Sequence, residues 1–459
     1  MDGQRQEGRG DILVEGETIA AIDDDLGHLA ETVDAVIDVS DSVVFPGLVD
    51  THNHLWQAPV RGLGSDCWGR EYFGVVHPLS VRYRPEDIYN ATLGGAYELL
   101  THGVTTVLDF CHSTNSPEHA AASVSALEQS GIRALFGFCF REREEAASRG
   151  FKSFEHRVSV LADLVGSRGS ADLVGFAAAL NNPDHVSPDE HAREILAARE
   201  LGIISTLHSN LQQQVSQSDD QGLLGSDLLW VHAGAIVDAE LDLLAKQGGI
   251  IVSTPQVEAA NMGIIPIIGR ALRKDVPVVF GTDVPAVLSG DMISQLRIGH
   301  ALSRVTDAIA ERHDGRTGAR TPWHPMVDSL KLLHMATIGA ANALGLDDRI
   351  GSLSVGKRAD LVVMGTGPFG LGAVRTAADY VMFQSSSRDI ELVMVNGQRR
   401  YESGHLVGID TGEIRRQLDH TRDYVLGRAG TDFAPLSDED RAEYERNQGK
   451  VTSAASRAL

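Results

Sequence analysis

The stretch FPGLVDTHNHLWQ, residues 45–57, closes an apolar run with an aspartate and two histidines, His52 and His54, one residue apart. In an extended segment residues i and i+2 point the same way, so both imidazoles can aim at one point while Asn53 turns away. Three further polar residues end apolar runs downstream: His208 in GIISTLH, His232 in LLWVHA and Asp283 in VPVVFGTD. Imidazoles with a carboxylate suit zinc, iron, cobalt or manganese, with an open position left for water. A divalent ion lowers the pKa of that water towards neutrality, which makes hydroxide available at pH 7. In such a site Asp283 can be ligand and base together, and His232 can orient the hydroxide or polarise the bond under attack. A single histidine at the end of an apolar run is more often a packed core group. Five polar residues closing four runs are not explained that way.

Those residues need a scaffold that brings the ends of separate runs together. Eight apolar runs lie at 43–50, 104–110, 132–138, 171–177, 202–208, 228–233, 249–254 and 276–283. Between them come segments with helical apolar spacing, such as 85–103 and 189–202, which often end at Gly. This alternation predicts an α/β chain with a (β/α)8 TIM barrel over 46–350, whose active groups belong at the C-terminal ends of the strands. An open, doubly wound sheet is the alternative. No GxGxxG follows the first run, which counts against a dinucleotide fold. Shorter strands are predicted at both ends of the chain: DILVEG, TIAAID and AVIDVS before the barrel, and pieces of 351–365 and 391–404 after it. They are expected to meet as a small composite β-sandwich built from 1–45 and 351–428, leaving a polar tail at 429–459.

The net charge of −23 argues against nucleic acid or an anionic membrane as partner. The chain has no apolar run long enough to span a bilayer, and the polar first residues hold no signal-peptide core. Three cysteines, Cys67, Cys111 and Cys139, without a CxxC pair, point to reduced thiols in the cytoplasm.

The whole chain resembles the amidohydrolase superfamily, in the branch of triazine hydrolases and cytosine-deaminase-like enzymes. The residues that carry the resemblance are PGLVDTHNH (46–54), RG (61–62), GVTTVLDF (103–110), TLH (206–208), VHA (231–233), GTD (281–283), the stretch 336–364 and VNG (395–397). The resemblance implies a barrel plus a composite sandwich, one divalent metal, and a homodimer or larger homo-oligomer. It implies that His52, His54, His208 and Asp283 are metal ligands and that His232 contacts the reacting group. The initial strand that members carry before GDILVEG is expected to be shortened or absent.

Two departures bear on the reaction. Some relatives bridge two metals with a carboxylated lysine, but between His54 and His208 the only lysine is Lys152, in a helix-or-loop context. One metal is therefore expected. Deaminases of this branch carry a glutamate three residues after the histidine of the fifth run, where this chain has Leu211, and leucine cannot transfer a proton. Neighbouring Asn210 and Gln212 form hydrogen bonds but are not acids. Glu258, after the seventh run, is a candidate replacement and substrate contact; Asp109 and His112 are expected to pack or support. Trp56, Gln57, Trp68 and Tyr72 follow the first run, where a loop often covers the pocket and aromatics can stack on a flat substrate. Substrate contacts are expected at Trp56, Gln57, Glu258, Asn210 and Met262, with Gly263 beside them.

The leading reading is a mononuclear metal-dependent hydrolase, with zinc as the first choice of metal, acting on carbon–nitrogen bonds other than peptide bonds. Water activated on the metal attacks an electrophilic carbon of a small cyclic or aromatic amide, urea, carbamate or heterocycle and releases an N, S or halide leaving group. The alternatives are an aminohydrolase of a purine, pyrimidine or related ring, and a non-catalytic metal-binding protein.

Overall fold

The computed structural model describes residues 7–140, 150–169, 173–313 and 327–429. The expected tail at 429–459 lies outside the described residues, apart from Ala429. The first strands, β1 (Asp11–Glu15) and β2 (Thr18–Asp23), form an antiparallel hairpin. Strand β3 (Ser42–Pro46) and strand β4 (Leu48–Asn53) follow. The first apolar run is thus two strands rather than one, parted at Gly47, whose amide donates to the Asp360 carbonyl. AVIDVS forms no strand.

The barrel is β4, β5 (Val104–Cys111), β6 (Arg133–Cys139), β7 (Val174–Ala179), β8 (Ser205–Ser209), β9 (Leu228–His232), β10 (Ile250–Ser253) and β11 (Val278–Phe280). All neighbours pair in parallel and in chain order. The seam closes where β4 meets the residues after β11: Asp283 N–H donates to the His52 carbonyl and His54 N–H to the Asp283 carbonyl, each at 2.9 Å. Strands covered on both faces read as unbroken apolar runs, and β5 and β6 are buried along their whole length. Inward side chains such as Val49, Leu108, Leu229 and Val252 fill the barrel, and Ala340 and Leu344 plug its lower end. The intervening helices start where the sequence supplies caps. In S-P-D-E, the Ser187 hydroxyl accepts from Glu190 N–H while the Glu190 carboxylate accepts from Ser187 N–H at 2.9 Å, a box of about 1 kcal/mol.

Below the N-terminal strand ends lies a five-stranded antiparallel sheet in the order β15 (His405–Leu406), β14 (Gln398–Glu402), β13 (Ile390–Val395), β12 (Leu361–Gly365), β3. The β1–β2 hairpin packs on it through fully buried Ile19, against Ala359, Leu361, Leu392 and Met394. Both chain ends therefore build one sandwich. Gly103, just before β5, sits at φ 78° with Ile390 3.1 Å from where a Cβ would stand, so the two units meet closely there. Arg133, the first residue of β6, ties them together: its guanidinium makes a two-pronged contact with Asp360 at 2.9 and 3.0 Å and donates to Asn396 at 3.2 Å. No helix among the described residues is long and apolar enough to cross a membrane.

Candidate metal centre and active site

The end of β4 carries His52 and His54, that of β8 His208, that of β9 His232, and the turn after β11 Asp283. The ligand nitrogens of His52, His54 and His208 lie within 4.8 Å of one another. Asp283 Oδ1 stands 3.4 Å from His52 Nε2 and 3.3 Å from His54 Nε2. Two donors on one tetrahedral ion with bonds of about 2.0–2.2 Å stand about 3.3–3.6 Å apart, so this spacing fits a shared zinc-sized ion. Both ring nitrogens of His52 are buried without a hydrogen-bond partner, a cost that a bound cation would remove. The donor set and its orphaned nitrogens therefore fit one divalent metal. Lys152 is exposed, ahead of the helix Phe154–Gly166, and takes no part.

Backbone geometry aims these groups. His232 (φ 67°), Ala233 (φ 53°) and Asp283 (φ 70°) all lie in the left-handed region that side chains avoid. At Gly281 a Cβ would stand 2.6 Å from the His52 carbonyl oxygen, so only glycine lets this turn press against the ligand strand. Second partners fix the rings. His54 Nδ1 donates to the Phe110 carbonyl at 2.8 Å, which leaves Nε2 to face Asp283. Asp50 clamps the two motifs together, accepting from the His52 and Thr282 amides at 3.1 Å, from Asn53 at 3.2 Å and from the Thr282 hydroxyl.

Burial pushes His52 down to about 4, and burial with the neighbouring imidazoles drives His208 well below its usual value. Both are therefore neutral and ready to bind a cation. Burial alone would raise Asp283, but His52 and His54 beside it hold its carboxyl well below the usual range. Burial would lower His232, yet the Glu258 and Asp283 carboxylates outweigh it and raise it. Burial lifts Asp50 to about 6 and Asp109 to about 7.

The expected substrate contacts have the following surroundings. Trp56, in the 3-10 turn Leu55–Val60, is fully buried in an apolar cluster with Val60, Val76, Tyr83, Ile88 and Val425, its ring 6.1 Å from that of His112. Gln57 is also fully buried, its amide donating to the Tyr72 hydroxyl at 2.5 Å and accepting from Ala286 N–H at 3.3 Å, so it braces loops. Glu258 lies behind His232, accepting from the Ser253 hydroxyl at 2.8 Å and from Thr254 N–H at 2.7 Å. Asn210 stays at the mouth directly after β8, its Oδ1 buried without a partner. Met262 is partly buried against Val257, Val284 and Val287. Half-exposed Trp68 packs its ring edge over Gly263, and the Asn261 amide donates to the Cys67 carbonyl, so the loop after β4 is pinned to the loop after β10. The His112 ring lies 4.5 Å from that of His54, tilted 30° to it. Asp109 accepts from Leu55 N–H at 3.0 Å and supports the turn below.

Sequence reasoning gave no role to Asp50, Thr254, Gly281 or Thr282. The D-T-H-N-H and G-T-D strings contain three of them, but only their contact across the seam shows that they act as one unit.

The chain is 27% identical over 450 residues to a 5-methylthioadenosine/S-adenosylhomocysteine deaminase of Natronomonas pharaonis, covering 92% of this chain and 93% of the relative. It is 25% identical over 434 residues to a 5'-deoxyadenosine deaminase of Methanobrevibacter smithii, covering 89% and 92%. In fold it is similar to a zinc-bound adenosine deaminase from Xanthomonas campestris, with TM-score 0.76, 23% identity and 91% and 94% of the two chains covered. It is also similar to a zinc complex of atrazine chlorohydrolase from Arthrobacter aurescens, with TM-score 0.74, 21% identity and coverage of 90% and 95%. The amidohydrolase family profile matches residues 43–400, and with barrel, sandwich and histidine cluster in agreement, this chain belongs to the amidohydrolase family.

Proposed function

We propose that the chain is a mononuclear zinc-dependent hydrolase of a small cyclic or aromatic amide, urea, carbamate or heterocycle, with the ion held by His52, His54, His208 and Asp283. The observation that carries this reading is the convergence of those four side chains at the barrel mouth, beside His232. A bound divalent ion supplies water that ionises near neutral pH. Asp283, kept ionised by its imidazole neighbours, receives the proton given up by the attacking water. His232 Nε2 stands 3.9 Å from Asp283 Oδ2 and faces the reacting group. Leu211, half-exposed beyond β8, brings no acid there, which favours substrates whose leaving group departs without a carboxylic proton donor. The reading includes barrel limits of 46 and 350, a cytoplasmic location and a homo-oligomer.

The second reading, an aminohydrolase of adenosine-like rings, is favoured by the names of the curated relatives. A panel of ring amides, carbamates, halogenated heterocycles and adenosine derivatives, assayed for product and for ammonia, separates the two. The first reading expects turnover that is lost on complete zinc removal, and little ammonia from exocyclic amines. Turnover that survives zinc removal would sink both. On the second reading ammonia appears from adenosine derivatives. Leu211→Glu would then raise it by about a hundredfold or more, the usual worth of a placed general acid.

A further inference from the structure

Glu258 is 0% exposed, and among the described residues His232 is the only basic side chain within 4.0 Å of it. Its Oε1 lies 3.6 Å from His232 Nδ1. Both Glu258 oxygens act as acceptors, from the Ser253 hydroxyl and from Thr254 N–H, so the imidazole nitrogen that faces Oε1 is the one that carries its proton. Thr254 fits the same assignment from a second direction. Its hydroxyl lies 3.0 Å from His232 Nδ1 and 3.4 Å from Asp283 Oδ2. A hydroxyl has one proton; given to the Asp283 carboxylate, it leaves the oxygen to accept from Nδ1.

We propose that Glu258 is a positioning residue for the reaction: with Thr254 it fixes Nδ1 of His232 as the protonated nitrogen and so keeps Nε2 turned to the reacting group. The proposal rests on the hydrolase reading above. It also gives Glu258 a different task from the glutamate that Leu211 replaces in this chain. The carboxylate is not aimed at substrate but acts one residue back, through an imidazole.

The test uses the zinc-loaded full chain. Glu258→Gln keeps the shape and an oxygen for the Thr254 amide, but loses the charge. The expected result is a kcat lower by about tenfold to a hundredfold, as for other partners of site imidazoles. KM stays within about twofold, since ground-state binding is untouched. Zinc content and melting temperature stay at the wild-type values. Nitrogen-15 NMR of histidine-labelled protein should show His232 Nδ1 protonated in the wild type. Glu258→Gln and Thr254→Val should each show mixed tautomers. A wild-type His232 protonated on Nε2 alone would overturn the proposal. So would an unchanged kcat in Glu258→Gln, or a loss of kcat that tracks loss of zinc. If no panel compound is hydrolysed, the hydrolase reading fails, while the nitrogen shifts still decide the tautomer.

Discussion

At the lower end of the barrel, Arg133 is buried with its counter-charge in place: two contacts to Asp360 and one to Asn396, whose own backbone N–H donates to Asp360 at 2.7 Å. At the upper end of the same strands, His52 is buried with neither ring nitrogen hydrogen-bonded, and burial presses its pKa down. His232 and Asp283 there hold disfavoured backbone angles. The lower end spends its polar groups on one another and joins two units. The upper end keeps them short of partners, so that a cation and a substrate find unsatisfied donors already in place. The difference teaches that buried polarity in one barrel serves two purposes, and that satisfaction of hydrogen bonds separates them.

Removing a group from the upper end should therefore harm chemistry more than folding. His52→Ala should cut kcat/KM by at least about a thousandfold, on the scale of losing the ion that activates water. Zinc content by elemental analysis should fall with it, while the melting temperature of metal-free protein holds or rises. A marked loss of metal-free stability would break the comparison. At the lower end the opposite should hold. Asp360→Asn leaves the Arg133 guanidinium buried without its counter-charge and should cost about 3–5 kcal/mol in urea unfolding, with kcat per folded molecule unchanged.

An ionisable group near the mouth gives a pH-dependent test. Glu194, in the helix Pro188–Glu200, accepts from the Asn181 amide at 3.0 Å just beyond β7, and burial raises its carboxyl to about 7. Since the folded value lies above the unfolded one, its contribution is fully present below pH 4.5 and is lost as pH rises through about 7. Glu194→Gln should remove that dependence and gain up to about 3 kcal/mol over the wild type at pH 8, with little difference at pH 4.5. Parallel urea curves at the two pH values would sharpen the contrast; equal offsets at both would refute it. The smallest effect is expected at Trp56→Phe: about 1 kcal/mol from a looser cluster, read as a shift of a few degrees in melting temperature, with KM unchanged.

The convergence of these side chains was legible because strand periodicity and barrel geometry leave little choice: a polar residue ending a buried strand points into the mouth. His52, His54, His208, His232 and Asp283 all come together as that rule requires. The residues just beyond were not legible, because turns carry no period. Trp56 and Gln57 follow His54 by two and three positions in a 3-10 turn that buries both, and Val425 of the helix Thr411–Ala429 joins the Trp56 cluster. Glu258 was recognised as a carboxylate near the site, but its direction depends on the short helix Pro255–Ala260. The break at Gly47 was hidden for a different reason. Sandwich strand and barrel strand are both apolar, and hydropathy alone does not show a change of partner.

The seam of the barrel is made at His52, His54 and Asp283, whose side chains also face one another at the candidate metal site. Their backbone bonds join positions about 230 residues apart in the chain and close the cylinder between its first and last strands. An ion bound there would act as a rivet across the last joint of the cylinder. Metal affinity and resistance to local opening then become one quantity measured in two ways. Zinc should slow amide hydrogen exchange most at the His54 and Asp283 amides, and least in the sandwich, whose assembly owes nothing to the ion.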